Sequence, residues 1–147
     1  MALPALVPAA DAARKTKLPK APAGSRFYSP PKKLVKGRAG TPIWTRTARG
    51  LVRPPHAGRV LTIAYRSTSI RNRATVMTGT ISLPKGKAPK QGWPVVTFGH
   101  VTTGGADNCA PSRVTAGNTE LERMTRSNEV VGYLLAHRVA VARPDFE

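Results

Sequence analysis

The chain has 147 residues, a length suited to one domain, and its 24 Lys+Arg against 7 Asp+Glu give a formal charge of +17. Its single cysteine, Cys109, excludes an internal disulfide and any zinc site built from several cysteines. No apolar run approaches the length of a membrane-spanning helix.

The charge is uneven. Up to Arg59 thirteen cations face one acid, Asp11, whereas from Val60 onward eleven face six. The extreme basicity therefore belongs mainly to the first third of the chain, and residues 1–26 are expected to be a disordered basic tail. Met1 to Ala13 is apolar, small and broken by proline, and Ala10-Asp11-Ala12 has the small-x-small form of a signal-peptide cleavage site. The basic leader that belongs before such a core is missing, so the segment reads either as an incomplete export signal or as a disordered terminus. Residues 27–147 are expected to form the folded domain. Phe27-Tyr28-Ser29-Pro30-Pro31 brings the first large apolar groups and is expected to dock as an extended segment, since each proline restricts its predecessor. Lys32 to Gly58 reads as irregular chain anchored by Ile43, Trp44, Leu51 and Val52, with His56 in an exposed turn.

From Val60 the pattern sharpens. Leu61, Ile63 and Tyr65 alternate on one face of a strand over 60–66, and Ser67 to Arg73 is a polar turn. A second strand over 74–83 places Val76, Thr78 and Thr80 on one side and Met77, Ile81 and Leu83 on the other. Gly79 in its middle signals a bulge or the close approach of another backbone. The two strands are expected to pair as an antiparallel hairpin. Pro84 to Gly92 is a basic loop.

Pro94-Val95-Val96-Thr97-Phe98 then reads as a short strand buried on both faces. The chemistry changes at once to Gly99-His100-Val101-Thr102-Thr103-Gly104-Gly105. Such a loop, leaving the carboxyl end of a strand, lies where open α/β sheets bind ligands. Asp107 to Ser112 is a tight polar turn, and Thr119 with Glu122 forms a capping box before a helix. Leu121, Met124, Val131 and Leu135 make the helix's apolar stripe, widened by Val130 and Leu134, and Gly132 is expected to permit tight packing on the sheet. His137 and Arg138 sit in the last turn, where the helix dipole favours cations. Val139 to Ala142 is a further strand. Strand, helix, strand makes one βαβ unit behind an antiparallel hairpin, an α/β class fold.

Several fragments carry a resemblance. Val95 to Gly104, VVTFGHVTTG, is similar to the V-V-S-Y-A-H-G-T-T-G stretch of the secretory-lipase family, secreted actinobacterial α/β hydrolases. Cys109-Ala110-Pro111-Ser112 matches that family's C-A-P-S, and Phe27-Tyr28-Ser29-Pro30-Pro31 resembles its F-Y-x-P-P. Tyr65-Arg66-Ser67-Thr68 resembles its Y-R-S-T, Gly79 to Pro84 its G-T-V-x-V-P, and Pro144-Asp145-Phe146-Glu147 its P-D-Y-E. Six fragments in the right order span Phe27 to Glu147.

The resemblance implies a partial α/β-hydrolase fold and an amino-terminal portion of a secreted lipase or carboxylic-ester hydrolase, with an ester or lipid as substrate. It places the His-x-Thr-Thr-Gly loop beside the nucleophile, where a backbone N–H stabilises the tetrahedral oxyanion. The candidates are His100, Thr102 and Thr103, with the N–H groups of Thr102 or Thr103 as donors; the alternative is that the hydroxyls only hold the loop's own turn. Val101 stands where the family has glycine, and a β-branched residue resists positive φ, so a different loop course is expected. In the family Cys109 pairs with a later cysteine; here it is expected as a free thiol.

No G-x-S-x-G occurs, and the resemblance puts nucleophile, acid and base beyond Glu147. No catalytic residue is therefore assigned in this sequence, and the chain alone is expected to be inactive. Asp145 is expected to order the turn after it. Without the fifth strand that pairs with the third in the family, Val95 to Phe98 is expected to be an exposed edge. No metal or organic cofactor is called for. The alternative from another class is a small basic protein that binds nucleic acid or an anionic surface through residues 1–59; sparse aromatics and the lack of a basic helical stripe weigh against it.

Overall fold

A long antiparallel hairpin is the backbone of the computed structural model, which describes residues 18–48, 53–104, 106–115, 117–118 and 120–145. The small-x-small segment, Leu51, Val52, Gly105 and Thr119 lie outside the described residues. The hairpin consists of β2 (Ala57–Thr68) and β3 (Ala74–Pro84), paired from Thr68↔Ala74 down to Ala57↔Pro84. The period-two pattern marked both strands. The turn between them takes Asn72 at φ 55°, a left-handed conformation that asparagine tolerates.

Three further strands complete a five-stranded sheet of order β1-β2-β3-β5-β4. Strand β1 (Pro42–Thr47) pairs antiparallel with β2, so the irregular chain expected over 32–58 is corrected there. Its β-branched and aromatic run Ile43-Trp44-Thr45 suits a pleated surface, but prolines and glycines around it mask the signal. Ile43 and Trp44 are buried at 1% and 5% exposure, which agrees with their reading as anchors. A single-turn helix α1 (Lys32–Val35) precedes β1.

Strands β4 (Val95–Thr97) and β5 (Ala140–Pro144) are parallel neighbours joined through helix α2 (Leu121–Ala136), the expected βαβ unit. Strand β5 also pairs antiparallel with β3. Strand β4 is the sheet's edge, with Val95 66% and Val96 40% exposed, so the expectation of burial on both faces is overturned and that of an exposed edge stands. An apolar run reports the environment a strand is suited to; among the described residues no strand lies beyond it.

Helix α2 packs Val131 and Leu135 with Val60 of β2 and Val141 of β5. Phe27, Ile43, Trp44 and Ala64 form a second apolar cluster, beneath the N-terminal arm. Both clusters draw on the Val60 and Ala64 side of β2. The alternating set Leu61, Ile63 and Tyr65 is consequently only half-buried, since nothing described packs across its face. The arm meets the core as a 3-10 turn (Gly24–Tyr28) rather than the expected extended segment, with Phe27 fully buried and Ala21 packed against it upstream. Val130, expected to widen the helix stripe, is 50% exposed.

Helix α2 starts after Glu120, whose N–H donates to the Asn118 side chain (2.8 Å), while Glu122 pairs with Arg126. At its other end His137 Nδ1 meets the Tyr133 carbonyl at 2.8 Å, adding a side-chain contact to an acceptor of the last turn that the His137 backbone N–H also reaches (3.2 Å). Gly132 packs against Pro55, in the loop before β2, rather than against a strand.

Gly79 behaves as the sequence suggested. A Cβ there would lie 2.5 Å from the Arg143 carbonyl oxygen and 2.9 Å from Pro144 Cα, because β5 crosses directly opposite. Gly79→Ala is therefore expected to destabilise the fold by about 1–3 kcal/mol, the usual cost of overpacking a site that cannot give. Urea unfolding followed by tryptophan fluorescence checks this, and an unchanged midpoint would contradict the close approach.

Candidate functional site

The loop after β4 leaves the carboxyl end of a strand parallel to β5, and Asp145 leaves the same end of β5. The two ends meet. The Asp145 carboxylate is buried, at 5% exposure, and accepts three hydrogen bonds. The Ser112 N–H donates to Oδ1 (3.0 Å), the Ser112 hydroxyl to Oδ2 (2.5 Å), and the Thr78 hydroxyl of β3 to Oδ2 (2.6 Å). Asp145 thus grips the far end of the loop; its expected role in the turn beyond it falls on residues outside those described.

Tyr28 closes the arrangement from the arm. Its hydroxyl donates to the Ser112 carbonyl (2.9 Å) and lies 3.2 Å from the Ser112 Oγ, whose single proton goes to Asp145. The Arg113 guanidinium lies 3.8 Å over the Tyr28 ring. Residues from three fragments scattered along the sequence, Tyr28 of FYSPP, Ser112 of CAPS and Asp145, thereby meet at one buried serine. Ser112 is 7% exposed and its hydroxyl is spent on Asp145. It therefore serves as a structural tie, held beneath Tyr28, rather than as an accessible nucleophile.

The charge at this node reaches its neighbours. Burial, then the Asp145 charge, pushes the Tyr65 phenol upward. Burial lowers Arg143 to about 10, and Asp145 offsets part of that. Arg143 is 2% exposed, and Nη1 donates to Asn128 Oδ1 of α2 (3.0 Å), while Nε and Nη2 have no partner among the described residues. A guanidinium held this way costs free energy to bury.

The loop residues divide between two surfaces. Thr103 is 6% exposed and, with Gly104, Thr78, Tyr28, Arg113 and Asp145, lines a cleft of about 350 Å³. Thr102 is exposed and lines a separate hollow with Phe98, Val101, Arg123 and Val130. His100 is buried, and its Nδ1 lies 2.6 Å from the Val101 carbonyl. A carbonyl only accepts, so Nδ1 carries the proton. Among the described residues the only non-glycine positions at positive φ are His56, Asn72 and Arg138, so Val101 keeps an ordinary φ and turns its side chain outward, 53% exposed. Cys109 is a free thiol packed under Gly104, where a Cβ would lie 2.8 Å from its sulfur. Sequence reasoning missed Thr78 and Ser112 as partners of Asp145, and Tyr28 as a partner of Ser112.

Among the described residues no group of three His, Cys, Asp or Glu side chains is placed to hold a metal ion, and no helix is long and apolar enough to cross a membrane.

The fold resembles that of part of a known lipase. Candida antarctica lipase A in its closed state superposes with a TM-score of 0.64 at 21% identity, over 88% of this chain and 30% of the lipase chain. A second structure of Candida antarctica lipase A gives 0.63 at 22% identity, over 82% and 28%. The chain spans less than a third of the length of either lipase chain. Neither a protein-family model nor a curated protein sequence matches it.

The hydrogen-bonded node yields two expectations. Asp145→Asn keeps the shape but sets an amide donor against the Ser112 and Thr78 donors, and should cost about 2–3 kcal/mol. Tyr28→Phe, which loses a neutral hydroxyl, should cost about 1 kcal/mol. Urea midpoints give both numbers, and equal effects would show that the carboxylate is not the centre of the node. For the buried cation, Asn128→Ala strips the guanidinium of its Oδ1 acceptor and should destabilise by about 3 kcal/mol, whereas Asn128→Leu with Arg143→Met should equal or exceed the parent.

Proposed function

We propose that the chain is the amino-terminal portion of a secreted lipase or carboxylic-ester hydrolase of the secretory-lipase type, and that it contributes the oxyanion loop without the Ser-Asp-His triad. The observation that carries this reading is the superposition on lipase A together with the position of the Thr103-Gly104 loop at the carboxyl end of parallel strands. The six sequence fragments support the family, since three of them meet at Ser112.

In this reading the backbone N–H of Thr103 faces the cleft and donates to the oxyanion of a tetrahedral intermediate. One such donor is worth about 10²–10³ in rate. The Asp145 and Tyr28 contacts to Ser112 fix the far end of the loop, so the donor is aimed before substrate arrives. Elements that follow Asp145 in the complete hydrolase supply the nucleophile, acid and base. They also cover the β4 edge and the half-buried Leu61-Ile63-Tyr65 face, which support the reading by being apolar and open. The substrate is an ester of a fatty or other carboxylic acid.

The purified 147-residue chain is expected to leave p-nitrophenyl butyrate hydrolysis at the background rate. Turnover that disappears on substitution of a residue in this chain would overturn the assignment of the triad elsewhere. The coding DNA after Glu147 is the complementary test: a G-x-S-x-G within the following part of the reading frame is expected, and a continuing frame without one would sink the lipase reading.

A further inference from the structure

On the other side of the Tyr28 and Arg113 wall lies a larger cleft, about 710 Å³, between the N-terminal arm and β1. Its chemistry differs from that of the loop cleft. Ala21, Pro22 and Ala23 of the arm give it an apolar wall, with Ala48 opposite. Among the described residues its charged lining groups are Arg46 and Arg113, with no Asp or Glu beside them.

Both guanidiniums are held by stacking. Arg46 lies 4.2 Å over the Phe27 ring and 5.5 Å from the Tyr28 centroid, and Arg113 lies 3.8 Å over the other aromatic partner, Tyr28. Stacking uses the face of a guanidinium and leaves its N–H edges to donate. Arg46 spends one edge on the Gly24 carbonyl (3.1 Å), which pins the arm. Arg113 reaches Asp107 at 3.8 Å, but that carboxylate is 93% exposed and so competes weakly for the cation. The buried carboxylate of Asp145 is bonded to Ser112, with its oxygens already accepting three hydrogen bonds.

Two pre-set forks of N–H donors beside an apolar wall suit one class of ligand. We propose that this cleft binds a small anionic amphiphile, an alkyl chain ending in an oxyanion, with the head on Arg46 and Arg113 and the chain along Ala21 to Ala23. Planar or tetrahedral oxyanions match guanidinium forks two bonds at a time, which gives orientation as well as charge. The site shares the Tyr28 and Arg113 wall with the loop cleft but is otherwise lined by the arm and β1, and it does not depend on ester turnover.

The test is calorimetric titration of the full 147-residue chain with octanoate, below its micelle concentration, beside octanol, inorganic phosphate and phosphatidylglycerol vesicles. Saturable binding of one octanoate per chain is expected, weakened about tenfold or more in Arg46→Gln with Arg113→Gln, and unchanged in Arg71→Gln with Arg73→Gln on the distant hairpin turn. Arg113→Gln alone, which leaves the Arg46 contact to the arm intact, should weaken binding in the same direction. Saturating octanoate should also raise the thermal midpoint of the parent chain. Octanol binding as tightly would reduce the cleft to an apolar crevice, and phosphate binding as tightly would remove the need for a chain. Vesicle binding without octanoate binding would assign the attraction to the protein's overall charge. Any of these three results, or no saturable octanoate binding by the folded parent, overturns the proposal.

Discussion

The carboxylate of Asp145 is the constraint on which the functional end of this molecule rests. It sits where β5 ends, and three donors from two other parts of the chain close around it. A buried carboxylate is tolerable only when its lone pairs are used. Ser112 and Thr78 meet that demand, and in doing so they set where the loop after β4 must return. The loop is therefore held from both sides, by the sheet ladder at its start and by charge-assisted hydrogen bonds at its end. Tyr28 extends the same arrangement to the arm, so that chain separated by 84 residues shares one serine.

The sheet is asymmetric around this node. Helix α2 and the arm cover the side of Val60, Ala64 and Val141, and the opposite side keeps Leu61, Ile63 and Tyr65 half in contact with solvent. Strand β4 carries the same incompleteness to the edge, where Val95 and Val96 face outward. Parallel strands normally lie within a sheet covered on both faces. The composition of these strands is that of a covered sheet, whereas their surroundings here are those of an open one.

That contrast explains what could be read from the residues alone. Strands β2 and β3 and helix α2 announced themselves by period, and Gly79 by its place in a strand, because each is a local signal. Strand β1 was hidden because six residues between proline and glycine carry too few alternations to count. The Pro94 to Phe98 run signalled burial because sequence encodes the environment a strand suits, not the neighbours it has. The grip on Ser112 was not legible at all. It joins Tyr28, Thr78, Ser112 and Asp145 across four segments, and no spacing within one sequence marks such a meeting. The cleft-facing position of Thr103, with Thr102 turned to another hollow, also depends on the loop's course rather than on its composition.

The arm's attachment has a consequence for how this protein is handled. Arg26 is exposed on the 3-10 turn, immediately before the fully buried Phe27. Trypsin-like cleavage there would create a new α-ammonium at Phe27, next to the guanidinium already stacked on that ring. Like charges would then meet at the base of the arm, and the phenol that steadies Ser112 would hang from a freshly cut end. A nick so near the amino terminus would be felt most at the opposite end of the sequence's contacts, in the loop that follows β4.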